Sequence, residues 1–308
     1  MGDIAYTLYE YMQVVFFNAT MAEDLLKDSA GEPIDLYQMV EDGEWTWEKF
    51  KEYSKKVTYD EVNQEYGVAF NAHSLRSFVT SFELDIAEKT GEGEEITYSF
   101  PTTAPERTTT AIDDIVSFVK TNPSVKYNKT NGADEKALNE IFVGGKALFY
   151  TQMMGQVPTI AEKMASGQSY GVLPFPKYDE DQLEYHTALR DSLTAISVPK
   201  NIKDPEMVGV MTEALCMYSY QNVRPAYLDT VVKGRYMTDD NLKTMLDTIR
   251  ENVAVDFVMA YNSSFDSYSA ISGLCNSATD QSYETFYAGK VANYTKKLAE
   301  VYKAFGIS

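Results

Sequence analysis

The stretch that most constrains this chain is residues 139–155, Asn-Glu-Ile-Phe-Val-Gly-Gly-Lys-Ala-Leu-Phe-Tyr-Thr-Gln-Met-Met-Gly. A helix read over 134–142 ends at its double glycine, which tolerates the left-handed backbone that a helix stop needs. A short apolar run over 147–150 then has strand composition. A polar break and a second helix start near Val157-Pro158 follow. Open α/β sheets place ligands beyond the carboxyl ends of their strands, so Gln152–Gly155 reads as a ligand-facing corner. An ordinary αβ corner has the same composition, so the stretch speaks more firmly about fold class than about function.

The rest of the chain repeats that alternation. Residues 6–17 end in a buried-strand pattern, and Asn18-Ala19-Thr20 turns the chain into a helix. Gly43-Glu44-Trp45-Thr46-Trp47-Glu48-Lys49-Phe50 reads as a helix start. Thr46 is the expected N-cap, Glu48 complements the dipole, and Trp45 is spaced to staple onto Phe50. That staple and helix packing account for both tryptophans without a sugar-stacking role. Residues 66–70 read as a strand ending in Asn71-Ala72-His73-Ser74-Leu75-Arg76, a second polar strand terminus. Residues 88–105 read as a loop or hairpin. Ile112, Ile115, Val116 and Val119 share one helix face. A strand is expected over 193–199. Helices are expected over 204–220 (Val208, Met211, Leu215, Tyr218), 241–252 (Leu242, Met245, Leu246, Ile249) and 280–305. The class is α/β, with no internal repeat or low-complexity linker.

At 308 residues the chain is long enough for about two domains. Its net charge of −19 argues against a nucleic-acid partner, since no basic stripe is present. No run reaches the length of a membrane span. Cys216 and Cys275 have no zinc or CxxC spacing, and Cys216 is expected to be a buried, inert thiol. The acidic loop 60–67 lacks the ligand offsets and early glycine of a calcium loop. With two histidines a site built on three is excluded, and no cofactor motif is legible.

Five segments in order resemble the family 1 extracellular solute-binding proteins of ABC importers, the group of maltose-binding protein. They are Phe16-Phe17-Asn18, Gly43 to Phe50, Phe142-Val143-Gly144-Gly145-Lys146-Ala147-Leu148-Phe149, Tyr170-Gly171-Val172-Leu173-Pro174-Phe175-Pro176-Lys177 and Ser197-Val198-Pro199-Lys200. Lys233-Gly234-Arg235-Tyr236-Met237-Thr238-Asp239-Asp240 and Val255-Asp256-Phe257 are similar to members of the same family. The resemblance implies a type II periplasmic-binding-protein-like fold of two α/β lobes closing over a ligand. It implies that 18–191 and 233–308 form a nearly complete lobe 2. Residues 1–17 and 192–232 would be part of lobe 1, whose first strands are missing from this chain. It further implies a small-molecule carbohydrate ligand, ABC permease subunits as partners, and an extracellular, membrane-anchored lipoprotein in the full-length form. The unpaired strand edge of an incomplete lobe makes self-association a further expectation.

Carried over by position, the ligand-contacting candidates are Asn71, His73, Arg76, Gln152, Met154, Arg190 and Asp191, with Tyr261, Phe265 and Tyr268 as an aromatic wall. Met153 and Met154 stand where the family places a stacking tryptophan, so stacking is not expected there. No catalytic or metal residues are implied, and no enzyme. Two other readings are an Asp191/Asp256 glycosidase, which needs two carboxyls at a set separation, and a protein-interaction module using an exposed apolar face.

Overall fold

The computed structural model describes residues 7–59, 62–129, 133–190, 197–236 and 240–306. A five-stranded sheet organises it. The strands are β1 (Gln13–Asn18), β2 (Tyr66–Asn71), β5 (Val125–Asn128), β6 (Ala147–Met153) and β7 (Tyr170–Leu173), in spatial order β5-β2-β6-β1-β7. β2 runs parallel to β5 and β6, whereas β1 is antiparallel to both β6 and β7. The carboxyl ends of β5, β2 and β6 therefore share one sheet edge with the start of β1. A separate hairpin, β3 (Glu88–Thr90) with β4 (Thr97–Ser99), confirms the expected turn.

The near-continuous apolar strands need cover on both faces, and they have it. On one face Phe50 lies 5.1 Å from Phe149, ring to ring, and Trp47 lies 5.0 Å from Phe78 and 5.2 Å from Phe118. These contacts bring in the helices Trp47–Ser54, Ala72–Ser81 and Glu106–Thr121. On the other face Phe142, from the helix Ala133–Val143, packs at 6.2 Å from Phe16 and 5.4 Å from Tyr150. The double glycine ends that helix as expected. Gly145 adopts φ +75°, its N–H donates to Phe142 O at 2.9 Å, and Lys146 N donates to Ile141 O at 3.0 Å. These are the paired bonds of a left-handed helix stop.

Several local expectations hold and several change. Trp45 and Phe50 meet edge to face at 5.8 Å, and both are buried. Indole Nε1 of Trp45 donates to Pro174 O, and that of Trp47 to Asp114 Oδ2, so both tryptophans are core residues. Thr46 occupies the N-cap position but makes no side-chain cap. The N–H of Trp47 donates instead to Lys177 O at 2.7 Å, because the 174–177 segment lies against the helix start. The helix Asp240–Glu251 buries Leu242, Met245, Leu246 and Ile249. The expected helix over 280–305 is two helices, Tyr283–Ala288 and Val291–Ala304, separated at Gly289-Lys290. Of the strand expected over 193–199, residues 193–196 lie outside the described residues, and 197–199 carry no strand pairing. Cys216 and Cys275 are free thiols. Cys275 is buried, but Cys216 is only partly so, contrary to expectation. No described helix is long and apolar enough to cross a membrane.

From Pro205 the chain runs as a helix to Tyr218, then through wider π-type turns over Ser219–Val223 and Ala226–Tyr236. Its second half rejoins the sheet body, with Leu228 and Val232 buried. Its first half buries none of its residues. Met207 is 59% exposed, Leu215 53% and Tyr218 64%.

Candidate functional site

The sheet edge where β2 and β6 end and β1 begins carries a small polar cavity. It is lined by Gln13, His73, Arg76, Ser77, Thr80, Ala188, Leu189, Arg190, Met259, Asn262 and Tyr268. Its volume is about 30 Å³, room for about two waters, so a sugar ring would lie over it rather than inside.

Each wall has a local cause. Asn71 ends β2 and caps the helix Ala72–Ser81: its Oδ1 accepts from His73 N (2.9 Å) and Ser74 N (2.8 Å), and Ser74 Oγ closes a capping box. The box fixes where that helix starts, and so where His73, Arg76, Ser77 and Thr80 face. Ser74 is tied to the sheet by Thr151 Oγ1 at 2.7 Å. On the other side, the 188–190 segment runs beside the start of β1. Gln13 N donates to Ala188 O (2.9 Å), Arg190 N donates to Tyr11 O (3.0 Å), and Met12 pairs with Leu189. Arg190 is thereby brought beside Gln13. Its guanidinium donates to the Met153 thioether sulfur at 3.5 Å. The third wall comes from the C-terminal helices. The Tyr268 hydroxyl donates to the Asp256 carboxylate and shares a hydrogen bond with the Thr80 hydroxyl at 3.3 Å. Burial first, and then the Asp256 charge, hold the Tyr268 phenol well above its usual range.

The structure sorts the ten candidate residues. His73, Arg76, Arg190 and Tyr268 come together around the cavity. Asn71 is buried and serves as the cap that positions His73 and Arg76. Gln152 and Met154 do not form a ligand-facing corner. β6 runs on to Met153, Gln152 is buried with its side chain on Tyr150 OH and Met153 N, and Met154 is buried. The residues after Tyr150 still pair with β1, at Gln152↔Val14 and Met153↔Gln13, which is why the strand continues through them. Phe265 is a core residue, packed at 5.1 Å from Phe100 and 5.9 Å from Phe257. Tyr261 packs on Phe257 at 4.9 Å, so no aromatic wall forms. Asp191 lies outside the described residues.

Sequence reasoning missed Gln13, Ser77, Thr80, Met259 and Asn262. Gln13 had one legible signal, a polar residue heading the apolar run Val14-Val15-Phe16-Phe17. As for a carboxylate pair, Asp256 already accepts from Met259 N at 2.6 Å and from Tyr268 OH. No cluster of three or more His, Cys, Asp or Glu suited to a metal occurs among the described residues.

No family model matches the sequence, and no curated protein matches it. Solved structures do match its fold. UgpB from Mycobacterium tuberculosis, in complex with glycerophosphocholine, is 11% identical with a TM-score of 0.60, over 94% of this chain and 69% of that one. An ABC transporter solute binding protein from Thermotoga lettingae, bound with alpha-D-tagatose, is 14% identical with a TM-score of 0.58, over 94% and 72%. The galacto-N-biose-/lacto-N-biose I-binding protein of the ABC transporter from Bifidobacterium longum, in complex with lacto-N-biose, is 13% identical with a TM-score of 0.57, over 100% and 75%. With its single antiparallel strand in an otherwise parallel sheet and its polar strand-end cavity, the chain has the periplasmic-binding-protein-like α/β fold of the ABC-transporter solute-binding proteins.

Proposed function

We propose that this chain is the extracellular solute-binding component of a carbohydrate ABC importer, holding its ligand at the polar sheet edge without chemistry. The observation that carries the reading is the convergence of Gln13, His73, Arg76, Arg190 and Asn262 on one strand-end cavity in this fold. Those groups offer hydrogen bonds to hydroxyls, as a sugar requires. A hydrolase reading finds less support, because Asp256 is engaged by a helix N–H and a phenol.

The lobe division proposed here differs at two points from the one the resemblance implies. Residues 13–17 are strand β1 of the sheet body, so the crossing from the other lobe lies before Gln13. Residues 226–232 return to the sheet body, where Leu228 and Val232 are buried. The segment attributed to lobe 1 is then chiefly 197–225.

Titration calorimetry against a panel of oligosaccharides, alongside a reducing-sugar assay, tests the function. Binding is expected without product release. Affinity is expected near millimolar, about 4 kcal/mol short of a micromolar clamp, since the cavity covers so little of a ligand. Release of reducing ends would overturn the receptor reading, and micromolar binding would overturn the expectation of an open site.

A further inference from the structure

The cavity has a charge character that neither the fold nor a neutral sugar explains. The chain holds 46 acidic against 27 basic residues. Yet the described residues lining the cavity include two arginines and a histidine, and among them there is no aspartate or glutamate. Asp256, the acid bonded to the lining residue Tyr268, has both oxygens engaged, Oδ1 by the Met259 N–H and Oδ2 by the Tyr268 hydroxyl. Arg190 presents five donors, but its guanidinium meets a thioether sulfur, a weak acceptor, and its Nε is buried with no hydrogen-bond partner. Gln13 is 2% exposed, and its Oε1 also lacks a partner. The helix Ala72–Ser81 adds the positive end of its dipole at His73.

We infer that the solute taken at this edge is a polyol or sugar bearing a phosphate or carboxylate group. The anion would sit on the Arg190 guanidinium, with Arg76 and His73 beside it, and a ligand hydroxyl would donate to Gln13 Oε1. This deepens the receptor reading and rests on it. A planar guanidinium matches the geometry of both anions, and charge-assisted bonds are about twice as strong as neutral ones. On an otherwise acidic chain, a cavity whose described lining is cationic favours anions there, while the rest of the surface repels them.

The test is an NMR titration of the full chain with two matched pairs, glycerol 3-phosphate against glycerol and glucuronate against glucose, with maltotriose as a neutral oligosaccharide. In at least one pair the charged member is expected to bind about tenfold more tightly or better. That pair identifies the anion. Its affinity is expected to fall about tenfold with Arg190→Gln, to fall less with Arg190→Lys, and to weaken with added salt. Should Arg190→Gln fail to fold, Arg190→Lys and the salt dependence still decide. Equal binding of charged and neutral members, or charged binding indifferent to both substitutions and to salt, overturns the inference. Binding of maltotriose alone overturns it and leaves the receptor reading standing. If no probe binds, both fall.

Discussion

The sheet body and the helix Pro205–Tyr218 are both written in apolar residues, and they have opposite fates. In the body, Trp45, Trp47, Phe50, Phe78 and Phe149 are each buried and touch one another's rings at 5.0–5.8 Å. In the helix, Met207, Val210, Met211, Leu215 and Met217 are all more than half exposed, and among the described residues no element buries them. They fall on one side of the helix: positions 207, 210, 211 and 215 are spaced by three and four, and 217 flanks them. An apolar helix face of that width has the composition of a core-facing surface. The pair teaches that apolar content records a demand for cover, while the partner that meets it is a separate fact.

The sharpest way to break the comparison is a matched pair of substitutions followed by urea unfolding. Trp47→Ala removes a buried ring with four aromatic neighbours and the indole bond to Asp114. We expect a loss of about 3–5 kcal/mol. Leu215→Ser is expected to change stability by no more than about 0.5 kcal/mol, as surface changes do. A comparable loss at Leu215 would show that the helix is covered in solution. Gly171→Ala comes next. An added Cβ would stand 2.1 Å from Phe17 Cε1 and 2.4 Å from the Tyr37 hydroxyl, so overpacking of about 1–3 kcal/mol is expected. Gly209, on the bare helix, has nothing within 4 Å. Gly209→Ala is expected to be neutral or mildly stabilising through helix propensity, and a loss there would again reveal hidden cover.

The last effect is invisible at neutral pH. Burial pushes the phenols of Tyr53, Tyr170 and Tyr294 up from 10.0 to about 12. A folded-state value raised above the unfolded one means stability is fully present below about pH 10 and is lost as pH rises towards 12. Melting temperature should therefore hold flat up to pH 10 and then fall. Absorbance at alkaline pH should show a late-titrating tyrosine class that merges with the rest in urea. A single transition near 10 in the folded protein would count against this packing.

Much of the fold was legible because its signals are local. The double glycine needs a left-handed backbone, and Gly145 supplies it. The spacing of Leu242, Met245, Leu246 and Ile249 describes one helix face, and that face is buried. Trp45 and Phe50 stand at staple distance in sequence and meet in space. The site was only half legible. His73, Arg76, Arg190 and Tyr268 line the cavity, and they were candidates because each follows a strand or turn signal or is placed by the family resemblance. Gln152 and Met154 were misplaced because composition does not say how far a strand runs once its neighbour, β1, offers further hydrogen bonds.

The sequence by itself determined the α/β class, the helix stop at the double glycine and the roles of the tryptophans, since backbone sterics and side-chain periodicity act within a few residues. Only the tertiary structure decided that β1 lies antiparallel between β6 and β7, that Gln13 meets Arg190 across a gap of 177 positions in the chain, and that Phe265 is core while Tyr268 faces the cavity. It also decided that Pro205–Tyr218 stands uncovered among the described residues. Pairing, cavity lining and cover depend on which distant segments arrive at the same place, and no local preference encodes that arrival.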